Sequence, residues 1–201
     1  MAVPTSNGST VGELSISSGR KAWRWDGTLW QLVEFIPPVA SGGTEADLTN
    51  PDGDGKNYHK HTFTANGTLT VSVPGYAKCL IVGRGSSGYA GNKGSGGRVF
   101  EGLLYLPAGS HTITVPGSGT NVDGYGSGIG TVMWVGSVKP SPSDGSGAGY
   151  MTGSGTTGWT STISGSSVTY AAATGTSTNP GDGGPNSGFV QGGIVIVRYE
   201  V

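Results

Sequence analysis

Cysteine is nearly absent: one, Cys79, stands in 201 residues. A disulfide framework is therefore excluded, and without a C-x-x-C pair or a Cys/His cluster no zinc module is expected. Charge is scarce as well, at 11% of residues against roughly 25% in an average soluble domain. Eleven basic residues balance twelve acidic ones, a net charge of -1. That balance lacks the self-repulsion that maintains disorder. It also lacks the basic cluster that phosphate backbones or anionic membranes require, so neither nucleic acid binding nor membrane insertion is expected. No apolar run approaches the ~20 residues that span a bilayer. Residues 1–6 show neither the basic start nor the apolar stretch of a signal peptide, so the chain is expected to be made in a cytoplasm and to remain soluble or leave by a route other than secretion. Catalytic signatures are missing too: no G-x-S-x-G, H-E-x-x-H or P-loop is found, and the carboxylates are few and scattered. Cys79 lies in an apolar run, where thiols are usually inert core residues. No enzyme activity and no cofactor are expected.

Glycine is what the chain has in excess. Its 40 glycines are about three times the usual share of roughly 7%, and they follow no three-residue period, which excludes collagen. Thirty-two of them lie after residue 60, each costing a helix roughly 1 kcal/mol, and the reading is all-β. Short strands are expected at residues 59–64, 68–73, 78–82, 99–106, 111–115, 131–138, 161–170 and 194–201. Asn66-Gly67 and Pro107-Ala108-Gly109 read as hairpin turns. The glycine-rich stretches 83–97 and 117–193 exceed the 2–5 residues of ordinary hairpin loops. They either move freely or pack backbone on backbone where no Cβ keeps them apart. Aromatic and apolar residues recurring inside them favour ordered loops.

Three regions follow from texture. Residues 1–36 read as a small β-meander with a turn at Asp26-Gly27, too small to bury much by itself. Residues 37–57, opened by Pro37-Pro38 and rich in small and acidic residues, read as a linker. Residues 58–201 read as a glycine-rich β-sandwich with long ordered loops.

The segments 61–71 (HTFTANGTLTV), 78–83 (KCLIVG), 106–115 (LPAGSHTITV), 161–170 (STISGSSVTY) and 192–199 (GGIVIVRY) follow one another in a distinctive order. Together they resemble the glycine-rich β domain of bacteriophage tail-fibre, tail-tip and other virion-surface proteins, over about residues 58–201. Few unbroken Gly-Gly runs occur, a departure from that family's usual pattern. The resemblance implies a non-enzymatic virion-surface protein: a tail-fibre or tail-tip adhesin for a host surface glycan or protein, or alternatively a capsid decoration protein. It also implies a homotrimer attached to other virion proteins, with residues 23–30 (WRWDGTLW) as a weaker match to an attachment end.

Candidate residues divide accordingly. Tyr89, Tyr125, Tyr150 and Trp159 in the glycine loops are candidates for receptor binding, because loops on a rigid scaffold commonly bind, or else each pins its loop. Trp23, Trp25 and Trp30 form either a meander core, a subunit or virion contact, or a sugar-stacking platform. His59 and His61 share one face of a strand and would reach a metal's ligand count across a threefold axis, a use the resemblance brings to mind; otherwise they are two partly exposed histidines. Asn50-Pro51-Asp52-Gly53-Asp54-Gly55 begins like a calcium loop but carries His61 at the twelfth place, so a solvated acidic linker is the preferred reading. Gly83-Arg84-Gly85-Ser86-Ser87-Gly88 satisfies G-x-G-x-x-G, yet the glycines after it forbid the helix a dinucleotide needs.

Overall fold

The computed structural model describes residues 14–16, 22–25, 27–33, 37–86, 94–120, 126–135, 150–152, 158–173, 178–184 and 189–201. These are all-β, with no helix among the described residues. The chain divides into two compact units, Met1–Ile36 and Pro37–Val201.

In the first unit β1 (Leu14–Ile16), β2 (Ala22–Trp25) and β3 (Trp30–Val33) form an antiparallel meander. Its register sets Trp25 opposite Trp30 and Trp23 opposite Leu32. Gly27 has a φ of 105°, the left-handed region that makes glycine the natural residue at this turn.

The second unit begins with β4 (Val39–Ser41), β5 (Thr44–Thr49), β6 (Asn57–Phe63), β7 (Gly67–Val73), β8 (Gly75–Val82), β9 (Val99–Leu106) and β10 (Gly109–Thr114). It continues through β11 (Gly119–Thr120), β12 (Ser127–Ile129), β13 (Met133–Val135), β14 (Tyr150–Thr152), β15 (Trp159–Ser161), β16 (Val168–Tyr170), β17 (Phe189–Val190) and β18 (Ile194–Glu200). Six of these make a sheet in the order β14-β9-β8-β18-β6-β5, and five make a second, β13-β12-β10-β7-β4. Alternation of side chains along each strand gives the six-stranded sheet two buried faces. One face, with Phe63, Cys79, Ile81, Phe100, Val195 and Val197, packs on Leu69, Val71, Ile113, Ile129 and Val135 of the five-stranded sheet. The other, with Leu80, Val82, Val99, Ile194 and Ile196, is covered by Ile163, Tyr170 and Ala171 from the β15–β16 ribbon and the turn after it. The central strand β18 is consequently buried on both sides from Ile194 to Tyr199, which explains its nearly unbroken apolar sequence.

Three expectations change. Residues 37–57 are not a linker, because β4 and β5 are edge strands of the two sheets. Their Thr, Glu and Asp content suits an edge, where one face meets water. Asn66-Gly67 and Pro107-Ala108-Gly109 are not hairpin turns: β6 and β9 lie in the six-stranded sheet, β7 and β10 in the other. The chain passes over the core at these points, since Phe63 and Leu69 bury against the same cluster from opposite sides. Residues 161–170 are not one strand either; they turn at Gly165 (φ 97°), so that β15 pairs with β16.

Candidate functional site

The glycine-rich segments meet at one end of the sandwich. Gly97 donates its N–H to the Gly181 carbonyl at 2.7 Å, Gly94 to Gly184 at 2.8 Å, Gly184 to Ser86 at 3.1 Å and Gly183 to Ala172 at 2.8 Å. Gly181 donates to Gly192 at 2.8 Å, and Gly193 to Pro116 at 2.9 Å. These bonds draw the backbones so close that a Cβ on Gly85, Gly96, Gly97, Gly183 or Gly193 would fall within 3.0 Å of a neighbouring carbonyl. Packing is therefore backbone on backbone, a layer that only glycine permits. Asp182, 1% exposed, locks one part of it by accepting N–H bonds from Ala172 (2.8 Å), Asn179 (2.9 Å) and Thr178 (3.3 Å).

This layer holds the ends of several connections together. Ser86 and Gly94, which flank residues 87–93, bond to Gly184, which opens 185–188. Thr120, before 121–125, pairs with Phe189, after 185–188. A cleft of about 400 Å³ opens here, lined by Asn66, Arg84, Val115, Pro116, Ser118 and Gly126 among others. The glycines of the G-x-G-x-x-G match that lie in the described chain, Gly83 and Gly85, serve the layer: Gly83 bonds Arg98, and Gly85 packs against the Asp182 backbone.

The predicted receptor residues are placed unevenly. Tyr89 and Tyr125 lie outside the described residues, and Tyr150 is placed only by its backbone in β14, opposite Glu101. Trp159 donates its indole N–H to Glu101 Oε2 at 2.6 Å, while Lys78 Nζ meets Glu101 Oε1 at 2.7 Å. Trp159 therefore ties the β15–β16 ribbon to the sheet. Glu101 is mostly buried, which by itself would raise its pKa. The bonds from Lys78, Trp159 and Ser161, with the Lys78 charge, outweigh that and hold the carboxyl below its ordinary range. Trp23 and Trp25 are placed by register, and Trp30 is half-buried.

The two histidines come to a different place than expected. His61 is 0% exposed within its own chain rather than partly exposed. Its Nδ1 lies 2.9 Å from the Gly42 carbonyl and its Nε2 2.9 Å from the Tyr199 hydroxyl. Because a carbonyl only accepts, Nδ1 carries the proton and Nε2 accepts from Tyr199. Burial lowers the His61 pKa, outweighing the Gly42 bond that favours the cation. Gly42 (φ 122°) and Gly43 (φ 68°) carry the chain from β4 in one sheet to β5 in the other. The hairpin register then sets Glu45 opposite His61 and Asp47 opposite His59. Asp47 Oδ1 is 2.6 Å from His59 Nδ1, and Glu45 Oε2 is 3.4 Å from His59 Nε2. Glu45 Oε1 accepts the Gly42 N–H at 2.8 Å, which holds that carboxyl below its usual pKa, and lies 3.7 Å from His61 Nδ1. One donor atom from each of Glu45, His59 and His61 falls within 4.8 Å of the others.

The calcium-like loop is spent structurally. Asp52 pairs with Arg198 at 2.6 Å, Asp54 accepts from Tyr58 at 2.6 Å, and Asn50 Oδ1 accepts the Gly55 N–H at 2.7 Å. It is the turn of the β5–β6 hairpin. No family model, curated protein or solved structure matches this chain.

Proposed function

We propose that the chain is a non-enzymatic bacteriophage virion-surface protein, a tail-fibre or tail-tip adhesin that meets a host glycan or protein through its glycine-anchored loops. The reading rests on the resemblance over residues 58–201 and on one structural observation. The flanks of residues 87–93, 121–125 and 185–188 are gathered by a backbone-packed glycine layer at one end of the sandwich. Loops with fixed ends cost less ordering entropy on binding, which is what a rigid scaffold contributes to recognition. Tyr89 and Tyr125 belong to two of those segments and are the contacts of choice. The carboxylates of Asp52, Glu101 and Asp182 are each engaged by structural partners, which favours binding over catalysis. Attachment to other virion proteins falls to the N-terminal meander, with Trp23, Trp25 and Trp30, and the assembly is a homotrimer.

The test is immunogold labelling and copy counting on purified particles. A handful of copies at the tail is expected. Hundreds on the capsid would replace the adhesin with a decoration protein, and absence from particles would overturn the virion reading altogether.

A further inference from the structure

The corner at Gly42-Gly43 and the first hairpin of the sandwich bring two imidazoles and a carboxylate together within one chain. We propose that Glu45, His59 and His61 form an intrachain site for a divalent first-row metal, zinc being the best match, with Asp47 as the residue that orients His59.

The donor set argues for the class of metal. Two imidazoles and one carboxylate suit zinc and its neighbours, whereas calcium and magnesium require oxygen ligands throughout. Spacing argues for the same. Zinc bonds of about 2.0–2.1 Å at tetrahedral angles place neighbouring donors about 3.3–3.4 Å apart. Glu45 Oε2 lies 3.4 Å from His59 Nε2 and Glu45 Oε1 3.7 Å from His61 Nδ1, and one donor atom from each of the three residues lies within 4.8 Å of the others, so a modest contraction around a metal brings them to that spacing. Orientation is built in. Asp47, 2.6 Å from His59 Nδ1, fixes the proton on that nitrogen and leaves the Nε2 lone pair facing Glu45, the carboxylate–histidine–metal arrangement. Glu45 is held in turn by the Gly42 N–H.

His61 enters by a tautomer exchange. In the free protein its Nδ1–H donates to the Gly42 carbonyl. On loading, the proton leaves Nδ1 and one is taken up at Nε2, so the ring stays neutral and no net proton is released. Nδ1 then gives its lone pair to the metal, and Nε2–H donates to the Tyr199 oxygen, which can accept as well as donate. The Gly42 carbonyl, at a half-exposed corner, turns to water. Three protein ligands leave a fourth position to solvent.

Zinc titration of the full chain, followed by calorimetry and by ring ¹⁵N spectra of the histidines, tests this. Expected are saturation at one zinc per chain and inversion of the His61 pattern from Nδ1-protonated to Nε2-protonated. Glu45→Gln, at an exposed side chain that leaves the fold intact, should weaken binding at least tenfold, and Asp47→Ala about 10–100-fold. Absence of saturable binding, an unchanged His61 tautomer, one zinc per three chains, or full affinity in Glu45→Gln would each overturn the site.

Discussion

The sandwich is closed in two ways, by side chains over the six-stranded sheet and by backbone at one end. Toward the five-stranded sheet the six-stranded sheet meets side chains, with Phe100, Leu106 and Val197 filling space against Leu69 and Ile113. On the other face it meets a smaller set of side chains around Ile163 and Tyr170, and beyond the strand ends, at one end of the sandwich, main chain lies directly on main chain. The first cover is secured by volume and fails when atoms are taken away. The second is secured by close approach and fails when a single methyl is added. Glycine, usually a weakener of sheets, is here the condition for burying backbone with its hydrogen bonds made.

Opposite substitutions in the two regions test that contrast. The largest effect is expected from Phe100→Ala, 2% exposed on the side-chain face, which should cost about 4 kcal/mol in urea unfolding of the full chain. Gly97→Ala, a gain of one carbon, should cost about 3 kcal/mol, because its Cβ would strike the Gly83 carbonyl. At Gly117, where a Cβ would meet nothing within 4 Å, the same change should be almost silent. If Gly97→Ala were equally silent, the backbone-packed layer would not exist.

Next comes Asp182→Ala, expected to cost about 2–3 kcal/mol. It leaves the N–H groups of Ala172 and Asn179 without their carboxylate acceptor inside the layer. Hydrogen exchange at Ala172 and Asn179 should rise in this variant while Ile196, in the central strand, keeps its protection. Uniform loss across both would show that the layer and the sheet open as one unit.

How much of this was readable from the sequence depends on which question is asked of a turn. The apolar runs of β8 and β18 announce their strands, because both faces of each are buried. Asn66-Gly67 announces a reversal, but turn chemistry does not state whether the next strand pairs alongside or crosses the core. That is decided by which residues the two strands bury, Phe63 and Leu69 in this case. Glycine content cannot separate a loose loop from a packed one, since the partners of Gly94 and Gly97, Gly184 and Gly181, lie far away in the chain. The Glu45–His59–His61 group was missed because residues 37–57 read as a linker. A signal was present: Glu45 and Asp47 mirror His61 and His59 about Gly53. Taking Asn50 to Gly55 as a hairpin turn gives both pairs directly.

The smallest expected effect concerns the polar tie that fastens the ribbon over the outer face. Glu101, 10% exposed, binds Lys78 and Trp159, and its folded pKa lies below the ordinary 4.5. Between those two values the unfolded chain holds the proton that the folded chain does not, so stability rises with pH across that window. The contribution is complete above about 4.5 and disappears as pH falls through the folded value. Glu101→Gln should therefore lie about 1.5 kcal/mol below wild type at pH 6, the worth of hydrogen bonds to a buried charge, and converge on it as pH falls through the folded value. Melting temperatures of the two proteins across that range measure the gap. A gap of constant width would mean that the carboxylate charge does not fasten β15 to the sheet.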